Sequence, residues 1–169
     1  MQWSEVIHDP SLRNLPYKIE LNEFGKIVMS PSSNHQAIQQ ARLVRLLANN
    51  FLDGEIALKC SVATRLGVKV ADVVWMSTDF LQEHGEQTPY SQAPELCIEI
   101  IPPSFLGIEM QEKIALFLEQ GAQEVWMVAE DNSISMYGGE GRRTASSFAN
   151  VEGTPAISTP QKAKASGTW

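Results

Sequence analysis

The chain has 169 residues, 43% of them apolar, and carries 13 Lys and Arg against 20 Asp and Glu for a net charge of −7. That length suits one domain with its own core, and no apolar run is long enough to cross a bilayer as a helix, so no membrane partner is expected. The acidic balance argues against affinity built by coating a phosphate backbone with Lys and Arg.

The start, "MQWSEVIHDP", has neither a basic n-region nor an apolar h-region, so a cytoplasmic protein without a secretory leader is expected. "YKIELNEFGKIVMS" predicts two short strands around a turn near Asn22 to Gly25. "PSSNHQAIQQARLVRLLANNF" predicts a helix entered through a Ser/Asn cap, with Ala37, Ala41, Val44, Ala48 and Phe51 as its apolar stripe. "EIALKCSV" and "VKVADVVWM" follow as strands, and the polar stretch Ser77 to Ala93, with Gly85 and Pro89, predicts a loop. "ELCIEII" predicts a strand buried on both faces and stopped by Pro102 and Pro103, since proline removes ladder donors.

A second helix is expected near Ile108 to Gln120, ending at Gly121 in the favoured C′ position. "EVWMVAE" and "SISMYG" then form a strand pair around "EDN". Cys60 and Cys97 lie in apolar stretches without a CxxC partner and predict buried thiols. The order β-β-α-β-β-β-α-β-β implies an α/β domain over 1–157, a sheet with helices packed on it. Residues 158–169, rich in Ser, Thr, Pro, Lys and Gly, predict a poorly ordered tail.

Two strands break their own pattern. Asp72 interrupts "VKVADVVWM" and Glu99 interrupts "ELCIEII", and an ionised carboxylate taken out of water needs a partner or a metal. Residues 70–138 hold twelve Asp and Glu and one cation, Lys113. Two carboxylates suit a hard ion such as Mg²⁺, which takes one or two of them plus waters and substrate phosphates. Lys113 sits at the edge of the helical stripe Met110, Ile114 and Phe117, placed to point at the sheet and orient a water near such an ion. Strand parity alone leaves open whether the faces of Asp72 and Glu99 coincide. A structural ion-pair network remains the alternative for these carboxylates, and snorkelling for Lys113. Trp75, Trp126, Phe117 and Met110 are spaced as core and not as a base-stacking platform.

The succession "ADVVWM", "PELCIEIIPPS", Lys113 in a helix and "GAQEVWMV" resembles the PD-(D/E)XK nuclease superfamily. It is most similar to the bacterial Uma-two-type restriction endonuclease family, whose pattern runs "PDvvfv", "PelviEvlSPS", a helical lysine and "GvpeyWlvD". Upstream, "YKIELNEFGKIVMSPSSNHQ" is similar to the family's "yElidGelvvmsPsp.H", so the likeness spans about residues 17 to 137.

The resemblance implies a restriction-endonuclease-like mixed central sheet flanked by helices. It implies hydrolysis of a nucleic-acid phosphodiester, in DNA, by activated water with Mg²⁺, for which Mn²⁺ can substitute. Asp72 and Glu99 would be the metal-binding carboxylates, and Lys113 would stand in for the lysine that other superfamily members keep at the position of Ile101. Glu20 would be an accessory carboxylate, and His35 matches the family's helix-start histidine. By analogy with nucleases that pair to cut duplexes, a homodimer is implied.

The chain departs from the pattern at Pro102, where the family has Ser, and at Ala129, where it commonly has Asp. Those departures favour an alternative: a catalytically degenerate nuclease fold serving as a binding or scaffold module. A hydrolase of smaller phosphate esters, suggested by the weak basic character, is a third reading.

Overall fold

The computed structural model describes residues 1–105 and 107–148. The expected tail and the boundary at 157 lie outside the described residues.

The first strands pair only with each other. β1 (Tyr17–Leu21) and β2 (Ile27–Pro31) form an antiparallel ribbon. Its turn is tied by Asn22, whose Oδ1 accepts from Phe24 N–H at 3.0 Å and Lys26 N–H at 2.9 Å, and Gly25 takes the left-handed conformation (φ 69°) that a side chain disfavours. Alternation along β1 sends Ile19 and Leu21 one way and Lys18 and Glu20 the other. Leu21 packs with Val68 and with Val6 of a short N-terminal helix, α1 (Trp3–His8), which leaves Lys18 and Glu20 to face the main sheet.

α2 (Asn34–Asn50) begins at the expected cap: Ser33 Oγ accepts from Gln36 N–H at 3.2 Å and Gln36 Oε1 from Ser33 N–H at 2.9 Å. Its buried stripe differs from the expected one. Gln39, Leu43 and Leu47 face inward, while Ala37, Ala41 and Ala48 are exposed. Burial stabilises by roughly 0.8 kcal/mol per methylene, so two leucines outweigh a row of alanines. Gln39 is tolerated among them because its Nε2 donates to the Ala129 carbonyl at 2.8 Å and Asn132 Oδ1 at 3.1 Å.

The six-stranded sheet runs β3-β4-β5-β6-β7-β8 in chain order, from β3 (Glu55–Thr64), β4 (Gly67–Met76), β5 (Leu96–Ile100), β6 (Glu124–Val128) and β7 (Ile134–Gly138) to β8 (Gly141–Arg143). All neighbours are antiparallel except β5 and β6, which are parallel and joined through the crossover helix α4 (Gly107–Glu119). The segment expected as a loop after β4 contains α3 (Thr78–His84), capped by Ser77 Oγ accepting from Phe80 N–H at 3.0 Å. β5 and β6 are buried at every position, as strands covered on both faces are.

One face carries Val74, Cys97, Val125 and Met127 under Ile114 and Phe117 of α4. The other carries Val73, Ile98, Trp126 and Met136 under Leu43 and Leu47 of α2. Cys60 and Cys97 are free, buried thiols, and Trp126 and Phe117 are wholly enclosed. The result is a mixed α/β fold, a central mixed sheet flanked by helices.

Candidate active site

The register of β4 on β5 sets Val74 opposite Cys97 and Val73 opposite Ile98, and one step further along it stand Asp72 and Glu99. Val74 and Cys97 face α4, so the two carboxylates share that face, which parity within single strands could not decide. α4 delivers Lys113 to the same point: its Nζ lies 2.9 Å from Glu99 Oε2 and 2.8 Å from Glu20 Oε1.

The ribbon contributes a second ammonium. Lys18 Nζ stands between the carboxylates, 3.0 Å from Asp72 Oδ1 and 2.9 Å from Glu99 Oε2. Three carboxylates and two ammoniums therefore meet in one network. Backbone donors complete it, with Ile100 N–H donating to Asp72 Oδ2 at 2.8 Å and Val70 N–H to Glu20 Oε1 at 2.7 Å.

Burial and charge act differently on its members. Glu99, 5% exposed, has its pKa raised: loss of water outweighs the pull of Lys113 and Lys18, and Asp72 and Glu20 add repulsion. Glu20 is also pushed upward by burial, but Lys113, Lys18 and the Val70 N–H together hold it below the ordinary carboxylate value. Burial would strip the proton from Lys18, yet Glu99, Asp72 and Glu20 overcome it and raise the pKa.

Glu99 Oε1 is buried without a hydrogen-bond partner, although a carboxylate oxygen is a strong acceptor. That orphaned acceptor, on a carboxylate that shares Lys18 with Asp72, fits a hard cation. Among the described residues no group of three or more His, Cys, Asp or Glu is arranged to hold an ion, so an all-protein cage is not available. The donor set suits a cation that binds one or two carboxylates and keeps water in its remaining positions, as Mg²⁺ does.

A cleft of about 100 Å³ opens on the network, lined also by Gln36, Gln40, Pro102 and Phe105. A shallower cleft of about 390 Å³ adjoins it through Glu20, Pro102, Phe105 and Lys113 and extends to Lys69 and Glu112. Gln40 does more than line the wall: its Nε2 donates to the Asp72 carbonyl at 2.8 Å. The β3–β4 register passes from Leu58 and Val73 to Cys60 and Ala71, and Lys59, across from Asp72, is left-handed at φ 53°. The ladder is distorted next to a site residue, where such strain tends to gather.

Of the residues singled out in the sequence, Asp72, Glu99, Lys113 and Glu20 converge. His35 does not join them: its Nε2 lies 2.9 Å from the Glu130 carbonyl, which can only accept, so it ties the start of α2 to the β6–β7 turn. Ala129, whose N–H donates to the Ser133 carbonyl at 2.9 Å, belongs to that turn as well. Sequence reasoning missed Lys18 and Gln40. The signal for Lys18 was its i, i+2 relation to Glu20 on one strand face; for Gln40 it was the i, i+4 relation to Gln36 at the start of a helix.

Comparison with known proteins agrees with this architecture. A solved structure from Anabaena variabilis ATCC 29413, described as "a putative nuclease belonging to DUF820", is similar with a TM-score of 0.64 and 19% identity, over 82% of this chain and 79% of that one. No curated protein matches the chain. The Uma2 family, described as "Putative restriction endonuclease", matches residues 7–161. With that match over most of its length, and with the fold described above, the chain belongs to the Uma2 family.

Proposed function

We propose that this chain is a metal-dependent nuclease that hydrolyses phosphodiester bonds in DNA, with Asp72 and Glu99 holding Mg²⁺ and Mn²⁺ able to replace it. The observation that carries the reading is Glu99: a buried carboxylate that lines a cleft together with Asp72, is touched by Lys113, and has one buried oxygen without a partner. Structural ion pairs account for the lysines but give that oxygen no role.

When bound, the ion would add positive charge at the phosphoryl oxygens and make a coordinated water more acidic. The chain's own part is placement. Adjacent buried strands fix the two carboxylates, and Ile100 N–H orients Asp72. Glu20, itself held by Val70 N–H, shares the Lys113 ammonium with Glu99 where Lys113 lines the cleft. There the ammonium stabilises negative charge that develops as the water oxygen bonds to phosphorus and the bond to the leaving oxygen breaks.

Titration calorimetry with Mg²⁺ and Mn²⁺ on wild type, Asp72→Asn and Glu99→Gln tests the reading, with thermal melts to show that each variant folds. The wild type should bind, both variants should lose binding and cleavage of duplex DNA, and Lys113→Met should cut duplex DNA about 100-fold more slowly. A wild type that binds neither ion overturns it. A specific observation favours the second reading, an inactive scaffold: Lys18 already bridges both carboxylates as an internal cation, and that reading takes over if no ion binds.

A further inference from the structure

Lys18 stands where a cation shared by Asp72 and Glu99 would stand, within 3.0 Å of one carboxylate and 2.9 Å of the other. We infer that Lys18 is a built-in competitor of the divalent ion, occupying the carboxylate pair in the metal-free protein and vacating it when the ion binds. This rests on the metal reading above and adds to it a condition for loading the site.

Charge supports the exchange. With Lys18 in place, three carboxylates face two ammoniums and the pocket is one charge short of neutral. A divalent ion entering beside Lys18 would leave it one charge in excess, with two cations in contact. With the ion in and Lys18 out, the three negative charges face Lys113 and the ion, and the pocket is neutral. Charges this close and this poorly hydrated interact strongly, so the neutral arrangement is favoured.

The architecture also permits the movement. Lys18 comes from the two-stranded ribbon, which shares no ladder with the sheet that carries Asp72 and Glu99. Its four-carbon stem has several rotatable bonds, and the cleft beside it is walled by polar side chains, Gln36, Gln40 and Ser32, that can receive an ammonium. Lys113 has less latitude: it sits on α4, whose neighbouring Ile114 and Phe117 are packed in the core, and its residue is buried. The unpartnered Glu99 Oε1 gives the ion something Lys18 leaves unused: a buried acceptor with no hydrogen-bond partner.

The test is the affinity of wild type, Lys18→Met and Lys18→Gln for Mg²⁺ and Mn²⁺ by calorimetry, with melts in EDTA and in saturating ion. Removing the competitor should tighten ion binding at least 10-fold, lower the melting temperature in EDTA and widen the gain on adding ion. A wild type that binds neither ion overturns the metal reading and, with it, this inference. Unchanged or weaker affinity in a folded variant overturns the competition, and leaves the metal reading standing if the wild type binds. No binding in any of the three proteins overturns both.

A measurement on the wild type alone covers the case in which neither variant folds. Reductive methylation read by mass spectrometry should label Lys18 slowly in EDTA and markedly faster in saturating Mg²⁺, with Lys113 unchanged. Equal labelling of Lys18 in the two conditions overturns the inference.

Discussion

At the scale of single residues, Glu99 is the carboxylate of the site whose pKa burial raises above its ordinary value. Its raised pKa, driven first by burial, means that the folded chain holds a proton there more tightly than the unfolded chain does. The sign follows: as pH rises from the ordinary carboxylate range through the raised value, the folded state loses stability on account of this group. Glu20 works the other way. Its lowered pKa gives stability that is present above the unfolded value and lost as pH falls through the folded one. Glu99→Gln keeps the shape and removes the charge, and it strands no lysine, because Lys18 retains Asp72 and Lys113 retains Glu20. Without metal, Glu99→Gln should therefore melt no lower than wild type at pH 7, and its advantage should grow as pH rises above the ordinary carboxylate range in parallel melts. A substitution that keeps stability and abolishes ion binding marks a residue kept for function at the expense of the fold.

At the scale of elements, the site depends on a strand pair that is irregular where it matters. Lys59 on β3 is left-handed beside Asp72, and the Asp72 carbonyl turns to Gln40 of α2 for its hydrogen bond. A β-branched residue is normally favoured in a strand, but at positive φ its second branch meets the backbone. Lys59→Ile should therefore destabilise the protein by about 1 to 2 kcal/mol, while Lys59→Gly should be neutral or slightly stabilising, as chemical denaturation would report. If Lys59→Ile proves neutral, the distortion at Lys59 is not an intrinsic demand of the backbone at this position. The same pair of elements shows how α2 reaches the site: the helix is held by Leu43 and Leu47 on the face away from the carboxylates, and its first turns lay Gln36 and Gln40 along the cleft.

At the scale of the whole molecule, the sequence was most readable where a residue contradicted its surroundings. Asp72 and Glu99 stood out because a charge inside an apolar strand must be explained, and Lys113 because it is the one cation in an acidic third of the chain. Lys18 was not readable in that way: on a short ribbon a lysine looks like surface, and alternation says which face it shares with Glu20 but not what that face meets. The buried stripe of α2 was misread because alanine and leucine periodicities overlap there, and packing chose the larger side chains. α3 was hidden by its polar surroundings, and its seven residues are too few for a periodic signal. Charge carries the last consequence. Lys18 and Lys113 are committed to carboxylates, and Lys69 lines the adjoining cleft, so among the described residues that line the two clefts few cations are free to neutralise phosphates. Each neutralised phosphate contributes about −0.9 to the slope of log K against log salt, so duplex binding should show a slope of about −2. Fluorescence anisotropy of a labelled duplex with Lys113→Met in Mg²⁺, read before its slowed cleavage consumes the substrate, measures it. A slope near −6 would place the DNA on a basic surface away from this cleft, because two or three cations cannot release that many counterions. The shallow slope would instead mean that DNA is held chiefly through the ion at Asp72 and Glu99, and binding should then collapse when EDTA is added.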